Sequence, residues 1–290
     1  MKRKQLRQRL ASGPILVAPG IYDAYGARLV EQAGFEAVYL TGNGVSASLL
    51  GRADVGLVDL TLIAGHARRV ASCVDIPLIC DADTGYGNAV NVRRTVEEFE
   101  AAGVAVIHLE DQVSPKRCGQ LPGARPVIEL AEAVGKIEAA VAARRDPDFI
   151  VIARTDSAEG HGLDEAIRRA QAFRKAGADA IFVELKSGPT MLEDLKRVTS
   201  SVDAPCLVNV DTGGKLGELT AAGIEKLGPR IAIYPGLARA AAGYAIREAL
   251  AALKRDGNTV VMRGRMLTLK EYNHALKLAE IEEWERNYLR

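Results

Sequence analysis

The chain has 290 residues, 48% of them hydrophobic and 26% charged, with a formal net charge of +1. That composition describes a folded chain with a large buried core, and the near-neutral charge offers no electrostatic footprint for nucleic acid. Four cysteines with no CxxC spacing, Cys73, Cys80, Cys118 and Cys206, read as reduced thiols of a cytoplasmic protein, not as a disulfide framework.

The first ten residues, MKRKQLRQRL, are basic but lack an apolar h-region. They predict an amphipathic first helix and not a secretory signal. No apolar run approaches the roughly 20 residues that a membrane-spanning helix needs.

Eight short apolar runs follow, at Ile15–Pro19, Ala37–Leu40, Pro77–Asp81, Ala105–Leu109, Phe149–Ala153, Ala180–Glu184, Cys206–Val210 and Ile231–Tyr234. Each leads into turn residues and then a longer helical pattern, which implies βαβ units and a parallel sheet. Ala-Gly pairs close the helices before several strands, at Ala33-Gly34, Ala102-Gly103 and Ala176-Gly177, with Ala222-Gly223 as a fourth candidate. Eight such units fit a single (β/α)8 TIM barrel of about 250 residues. The alternative is an open doubly wound sheet. Its GxGxxG signature is absent after the first strand, where Pro19-Gly20-Ile21-Tyr22-Asp23 stands instead. The predicted organisation is a barrel domain over residues 1–257 and a C-terminal helical extension over 258–290, packed on the barrel or on a neighbouring subunit.

Chemistry in a barrel belongs at the C-terminal strand ends. The third strand ends in Asp81-Ala-Asp83 and the fourth in Glu110-Asp111. Alternation places Asp81 and Asp83 on one face, where with Glu110 they form an acidic cluster. Carboxylates so close repel one another, and a hard divalent cation removes the conflict. Oxygen ligands favour Mg2+, with Mn2+ as the alternative, and no histidine cluster points to zinc. The competing reading makes Asp83-Thr84 a cap for the following helix.

The run Gln112–Val127, with Pro115, Gly119, Pro122 and Pro126, is long enough to be a lid or binding loop. Within it Cys118 follows Lys116 and Arg117, whose charges favour a thiolate. With no histidine in the motif, proton transfer suits Cys118 better than a nucleophilic role. Lys116 and Arg154 suit substrate carboxylates, although Arg154 can equally pair with Glu184 or Asp156. His108 shares the inward face with Glu110, orienting a water or filling a polar core position. His66 and His274 fall in helical patterns and read as structural.

Together Tyr39-Leu-Thr-Gly42, Gly51-Arg-Ala-Asp54, Asp81-Ala-Asp-Thr-Gly-Tyr-Gly87, His108-Leu-Glu-Asp111, Lys116-Arg-Cys-Gly119, Ala153-Arg-Thr-Asp156 and Glu184 resemble the isocitrate lyase / phosphoenolpyruvate mutase superfamily, from about Gly13 to Gly257. Its 2-methylisocitrate lyase and 2,3-dimethylmalate lyase branch is the most similar. The resemblance implies Mg2+, a small carboxylate substrate, and a homotetramer in which C-terminal helices swap between neighbours. It makes Asp83 the direct metal ligand and Asp54, Asp81 and Glu110 its water-mediated holders. Thr41, Gly42 and Asn43 would bind the substrate carboxylate with Arg154, and Gly119, Gln120, Glu184 and Asn209 would complete the substrate shell. The lyases carry a Lys-(Lys/Arg)-Cys-Gly-His loop, whereas phosphonomutases and oxaloacetate decarboxylases typically lack the cysteine. Cys118 therefore implies retro-aldol cleavage of a 2-hydroxy di- or tricarboxylate, with Tyr39 or a metal-bound water as base and Cys118 as proton donor. An oxaloacetate-type decarboxylase or hydrolase, or a phosphonomutase, is the alternative.

The chain departs from that pattern twice. Gln120 replaces the loop histidine, and Asn209-Val-Asp211 replaces Asn-x-Thr after the seventh strand. Asp211 is expected to repel a third carboxylate unless Lys215 neutralises it, which points to a 2-alkylmalate-like acid or oxaloacetate rather than 2-methylisocitrate.

Overall fold

A computed structural model describes residues 2–122 and 125–289. Its strands are β1 Leu16–Ile21, β2 Val38–Leu40, β3 Leu78–Asp81, β4 Val106–Glu110, β5 Ile150–Thr155, β6 Ala180–Val183, β7 Cys206–Asn209 and β8 Ile231–Tyr234. All neighbours pair in parallel, and β8 pairs back onto β1 with Leu16 opposite Ile231, closing the barrel. The eight apolar runs of the sequence are these strands, to within two residues at each end.

The helices in chain order are α1 Lys2–Ser12, α2 Ala24–Gln32, α3 Gly42–Val45, α4 Leu60–Cys73, α5 Ala89–Ala101, α6 Leu130–Ala143, α7 Ser157–His161, α8 Leu163–Lys175, α9 Met191–Ser201, α10 Ala221–Glu225, α11 Leu237–Asp256, α12 Leu269–Ala275 and α13 Leu278–Tyr288. None is long and apolar enough to cross a membrane.

Strand alternation divides the core. Outward residues such as Leu40, Cys80, Ile107 and Val151 pack under the helices, while Leu16, Tyr39, Ile79, Ile152, Phe182 and Leu207 fill the barrel. The basic first helix belongs to this inner cluster through Leu6 and Leu10. Its arginines tie it to the rest of the barrel. Arg3 Nε donates to the Val104 carbonyl at 2.9 Å, and Arg7 Nη1 meets Asp179 at 3.0 Å.

Three of the four Ala-Gly pairs cap helices as expected, with Gly34, Gly103 and Gly177 at φ of 83°, 85° and 98°, a conformation costly for a residue with a Cβ. The fourth does not. Gly223 lies inside α10, and the positive φ falls at Gly228 instead.

The helix after β8 is unlike the others. Of the 20 residues of α11 only Ala252 is buried, and Tyr244, Ile246 and Leu250 stand exposed. Beyond it α12 returns to α2, where Tyr272 lies 5.6 Å from Tyr25 and Gln32 Nε2 donates to the His274 carbonyl. No residue of α13 is buried, and Ile281 and Trp284 are among its exposed side chains.

Candidate active site

A cavity open to solvent lies at the C-terminal strand ends. Its wall includes Tyr39, Thr41, Asn43, Asp54, Asp81, Glu110, Lys116, Cys118, Gly119, Gln120, Arg154, Glu184 and Asn209. Of the sequence candidates, Gly42 and Asp83 are absent from the wall but touch it from behind. A Cβ built on Gly42 would stand 2.7 Å from Asp81 Oδ2 and 3.4 Å from Asp83 Oδ1. Only glycine lets that backbone approach the acids.

Asp83 reaches the cluster by a route that alternation does not describe. β3 ends at Asp81, and Asp83 sits in a turn at φ 47°, its amide donating to Asp81 Oδ1 at 3.0 Å. It caps nothing, because Asn88 caps α5. Alternation does hold on β4 and just beyond it. Glu110 faces inward, while Asp111 turns out to Thr155 Oγ1 at 2.7 Å and Arg169 Nη1 at 3.1 Å.

Lys116 lines the cavity with its ammonium already paired with carboxylates. Its ammonium stands 2.7 Å from Asp54 Oδ2 and 2.8 Å from Asp83 Oδ1, with all three side chains buried. Among the described residues no three metal-ligating side chains form a ready coordination cluster. The charge is nevertheless uneven. Burial pushes Asp83 up to about 7 despite Lys116, with Asp81 and Asp54 adding to the rise. Burial also works against Asp81, but His108, Lys116 and Arg154 outweigh it and hold that carboxyl at about 2. Glu110 Oε1 is buried without a hydrogen-bond partner. Hard oxygens short of positive charge, one of them unpartnered, fit a small divalent cation.

Arg154 is held by carboxylates, as its alternative reading anticipated. Nε and Nη2 each donate to Asp156 at 2.9 Å, and Glu110 and Glu184 lie at 3.4 Å. The guanidinium stacks on Phe182, 4.8 Å from the ring centroid. Asn209 Nδ2 donates to Glu184 Oε1 at 3.4 Å. Sequence reading missed Arg125, which bridges Asp156 at 2.5 Å and Glu159 at 2.6 Å. It lies 31 residues from Asp156, and no local pattern links the two.

Tyr39 and His108 form a buried pair, Oη to Nε2 at 2.9 Å, with His108 Nδ1 3.7 Å from Asp81 Oδ1. Burial raises the Tyr39 hydroxyl well above its ordinary value and lowers His108 to about 4. His66 is structural, its Nε2 2.7 Å from the Tyr22 carbonyl.

The long loop after β4 folds over the mouth. Gln112 and Val127 bridge its ends, and the Cys118 amide donates to the Asp54 carbonyl at 3.1 Å. Asn43 Nδ2 donates to Cys118 Sγ at 3.1 Å. The cations expected to act on this thiol are engaged elsewhere. Lys116 is on the acids, and Arg117 Nε donates to the Pro122 carbonyl at 2.7 Å. Asp211, expected to repel a third carboxylate, is exposed and lies off the cavity wall, and Lys215 Nζ donates to the Pro189 carbonyl. The electrostatic argument for a smaller substrate therefore falls.

An eight-stranded parallel barrel with an acidic mouth, an inward arginine and a cysteine-bearing loop defines an enzyme site for small anionic substrates. The phosphoenolpyruvate phosphomutase family model matches residues 6–254, and the chain belongs to that family, within the isocitrate lyase superfamily. It is 44% identical to 2,3-dimethylmalate lyase of Eubacterium barkeri over 284 residues, covering 98% of this chain and 97% of that protein. It is 42% identical to probable 2-methylisocitrate lyase 2 of Corynebacterium glutamicum, covering 94% and 89%. The crystal structure of an oxaloacetate acetylhydrolase with 3,3-difluorooxalacetate superposes with a TM-score of 0.91 at 34% identity, covering 99% of this chain and 96% of that one.

Proposed function

We propose that this enzyme is a Mg2+-dependent lyase that breaks a carbon–carbon bond of a 2-hydroxy dicarboxylate or tricarboxylate, of the 2-alkylmalate or 2-methylisocitrate type. The observation that carries the reading is the Cys118 thiol, fixed on the cavity wall by Asn43. The similarity to 2,3-dimethylmalate lyase and 2-methylisocitrate lyase supports it.

Asp83 would hold the Mg2+ directly, with Asp54, Asp81 and Glu110 around it. Bound there, the ion supplies Lewis-acid stabilisation and lowers the pKa of the substrate hydroxyl. Thr41, buried at the end of β2, and the Gly42–Asn43 backbone receive the carboxylate next to that hydroxyl. Tyr39, whose Oη lies 2.9 Å from His108 Nε2, takes the hydroxyl proton. The C2–C3 bond breaks, C2 becomes the ketone of an α-keto acid, and the electron pair remains on C3. Cys118 delivers its proton to C3 and is restored by the proton that left the hydroxyl, so the products sum to the substrate. Such acid catalysis contributes about 10²–10⁴-fold.

The exposed apolar residues of α11 and the unburied α13 support a homotetramer in which these helices exchange between neighbours. The free cysteines fit a cytoplasmic setting.

The test is product analysis by NMR after incubating the enzyme and Mg2+ with malate, citramalate, 2,3-dimethylmalate, 2-methylisocitrate, oxaloacetate and phosphonopyruvate. Cleavage of a 2-hydroxy acid is expected. Turnover of oxaloacetate or phosphonopyruvate alone would replace the lyase with a hydrolase, decarboxylase or mutase.

A further inference from the structure

Arg125 grips more than its own loop. The two limbs of the segment after β4 meet in a neck, where Gln112 bridges Val127 and the Val113 amide donates to the Pro126 carbonyl at 2.8 Å. Arg125 directly precedes the second limb of that neck, so its side chain starts from a fixed base. It is 5% exposed and reaches across to the segment after β5. Nη1 donates to Asp156 Oδ1 at 2.5 Å, while Nη2 and Nε donate to Glu159 Oε2 at 2.6 and 3.1 Å. Lys186 Nζ holds the other oxygen of Glu159 at 2.9 Å. Charge-assisted bonds forked over two carboxylates fix a guanidinium in both position and plane.

The far anchor is itself fixed. Asp156 Oδ1 also accepts from Arg154 Nη2, and Oδ2 from Arg154 Nε, each at 2.9 Å. The Asp156 amide donates to Asp111 Oδ1 at 2.9 Å. The Arg125 guanidinium also lies against the turn that carries the thiol. A Cβ built on Gly119 would stand 2.8 Å from Arg125 Nη1 and 3.3 Å from its Cζ. A side chain at 119 would push the guanidinium off its carboxylates. With the Cys118 amide bonded to the Asp54 carbonyl, the turn is supported from two directions.

We infer that Arg125 is a positioning residue that holds the Cys118–Gly119 turn in register with Arg154, through the Asp156 carboxylate that the two guanidiniums share. That the thiol so held delivers a proton rests on the lyase reading. Arg125 is not part of the cavity wall, so it acts through the turn and not on the substrate. Its removal leaves Asp156 paired with Arg154, and no buried carboxylate is stranded. Arg154 keeps its place while the turn loses one of its supports.

The experiment pairs hydrogen–deuterium exchange of the Mg2+-loaded enzyme, without substrate, with steady-state turnover of the acid that wild type uses best. In Arg125→Gln, amides around Cys118 are expected to exchange about 10-fold faster or more, with the barrel strands unchanged. Turnover is expected to fall about 10- to 100-fold, the scale of a misplacement of about 1 Å. KM should stay near the wild-type value, because Arg154 is undisturbed. Glu159→Gln, which loosens the outer half of the grip, should shift both readouts the same way by less. Arg125→Lys, a cation without the fork, should restore part of each. Unchanged exchange around Cys118 overturns the inference, as does a raised KM with kcat retained. Faster exchange throughout the barrel would reduce Arg125 to a stabilising contact and overturn it too. If exchange rises only around Cys118 while wild type turns over oxaloacetate or phosphonopyruvate alone, the lyase reading falls and the positioning role stands.

Discussion

Lys116 Nζ stands 2.8 Å from Asp83 Oδ1, so an ammonium of this chain already occupies ground that a divalent cation would share. Breaking a buried pair leaves charge uncompensated, at a cost of about 3–5 kcal/mol. Lys116→Gln is therefore expected to melt lower than wild type without metal and to gain more from Mg2+. Thermal denaturation across a Mg2+ series reads both. An equal response in the two proteins would show that Lys116 and the ion do not meet.

Gly42→Ala places a methyl group 2.7 Å from Asp81 Oδ2. Overpacking of this kind costs about 1–3 kcal/mol, and here it falls on the acid cluster. Mg2+ affinity measured by titration should drop about 10-fold or more while the circular dichroism spectrum is unchanged. Unaltered metal affinity would show that the acids can shift without loss.

Cys118→Ser replaces the proposed proton donor with a far weaker acid of similar shape. Turnover is expected to fall about 10²–10⁴-fold with metal affinity retained. Asn43→Ala, which removes the amide holding the sulfur at 3.1 Å, should lower turnover by less. Full activity in Cys118→Ser would eliminate the assignment.

His108 carries a signature in stability against pH. Burial lowers it from 6.5 to about 4, with Asp81 opposing and Arg154 and Lys116 assisting. The unfolded chain takes up the proton first, so this contribution is fully present above pH 6.5 and is lost as pH falls toward about 4. It amounts to something on the order of 3 kcal/mol. Asp83, raised to about 7, acts with the opposite sign, since its contribution fades as pH rises toward that value. The difference between wild type and His108→Gln in urea melts isolates the histidine. It should shrink steadily from pH 6.5 to 4.5, and a constant difference would contradict the assignment.

The barrel was legible because parallel strands are buried on both faces and read as unbroken apolar runs. Asp81, Asp83 and Glu110 were legible because each stands at or near a strand end, whereas Asp54, far beyond β2, came only with the family motif. What balances them was not, since Lys116 meets Asp54 across 62 residues and Arg169 meets Asp111 across 58. Asp83 was placed by strand alternation although it lies in a left-handed turn. Its convergence with Asp81 comes from backbone bonding and the missing Cβ of Gly42. Asp211 misled because a residue just beyond a strand end need not face the axis.

The amide of Cys118 donates to the carbonyl of Asp54, so the thiol proposed as proton donor and a carboxylate proposed for the cation site hang from one shared peptide contact. Geometry at one is inherited by the other. A change that slackens the loop blurs the electrostatics of the cluster, and a change in the cluster misaims the thiol. Altering the loop while keeping the acidic cluster, or the reverse, would require redesigning both segments as a single part.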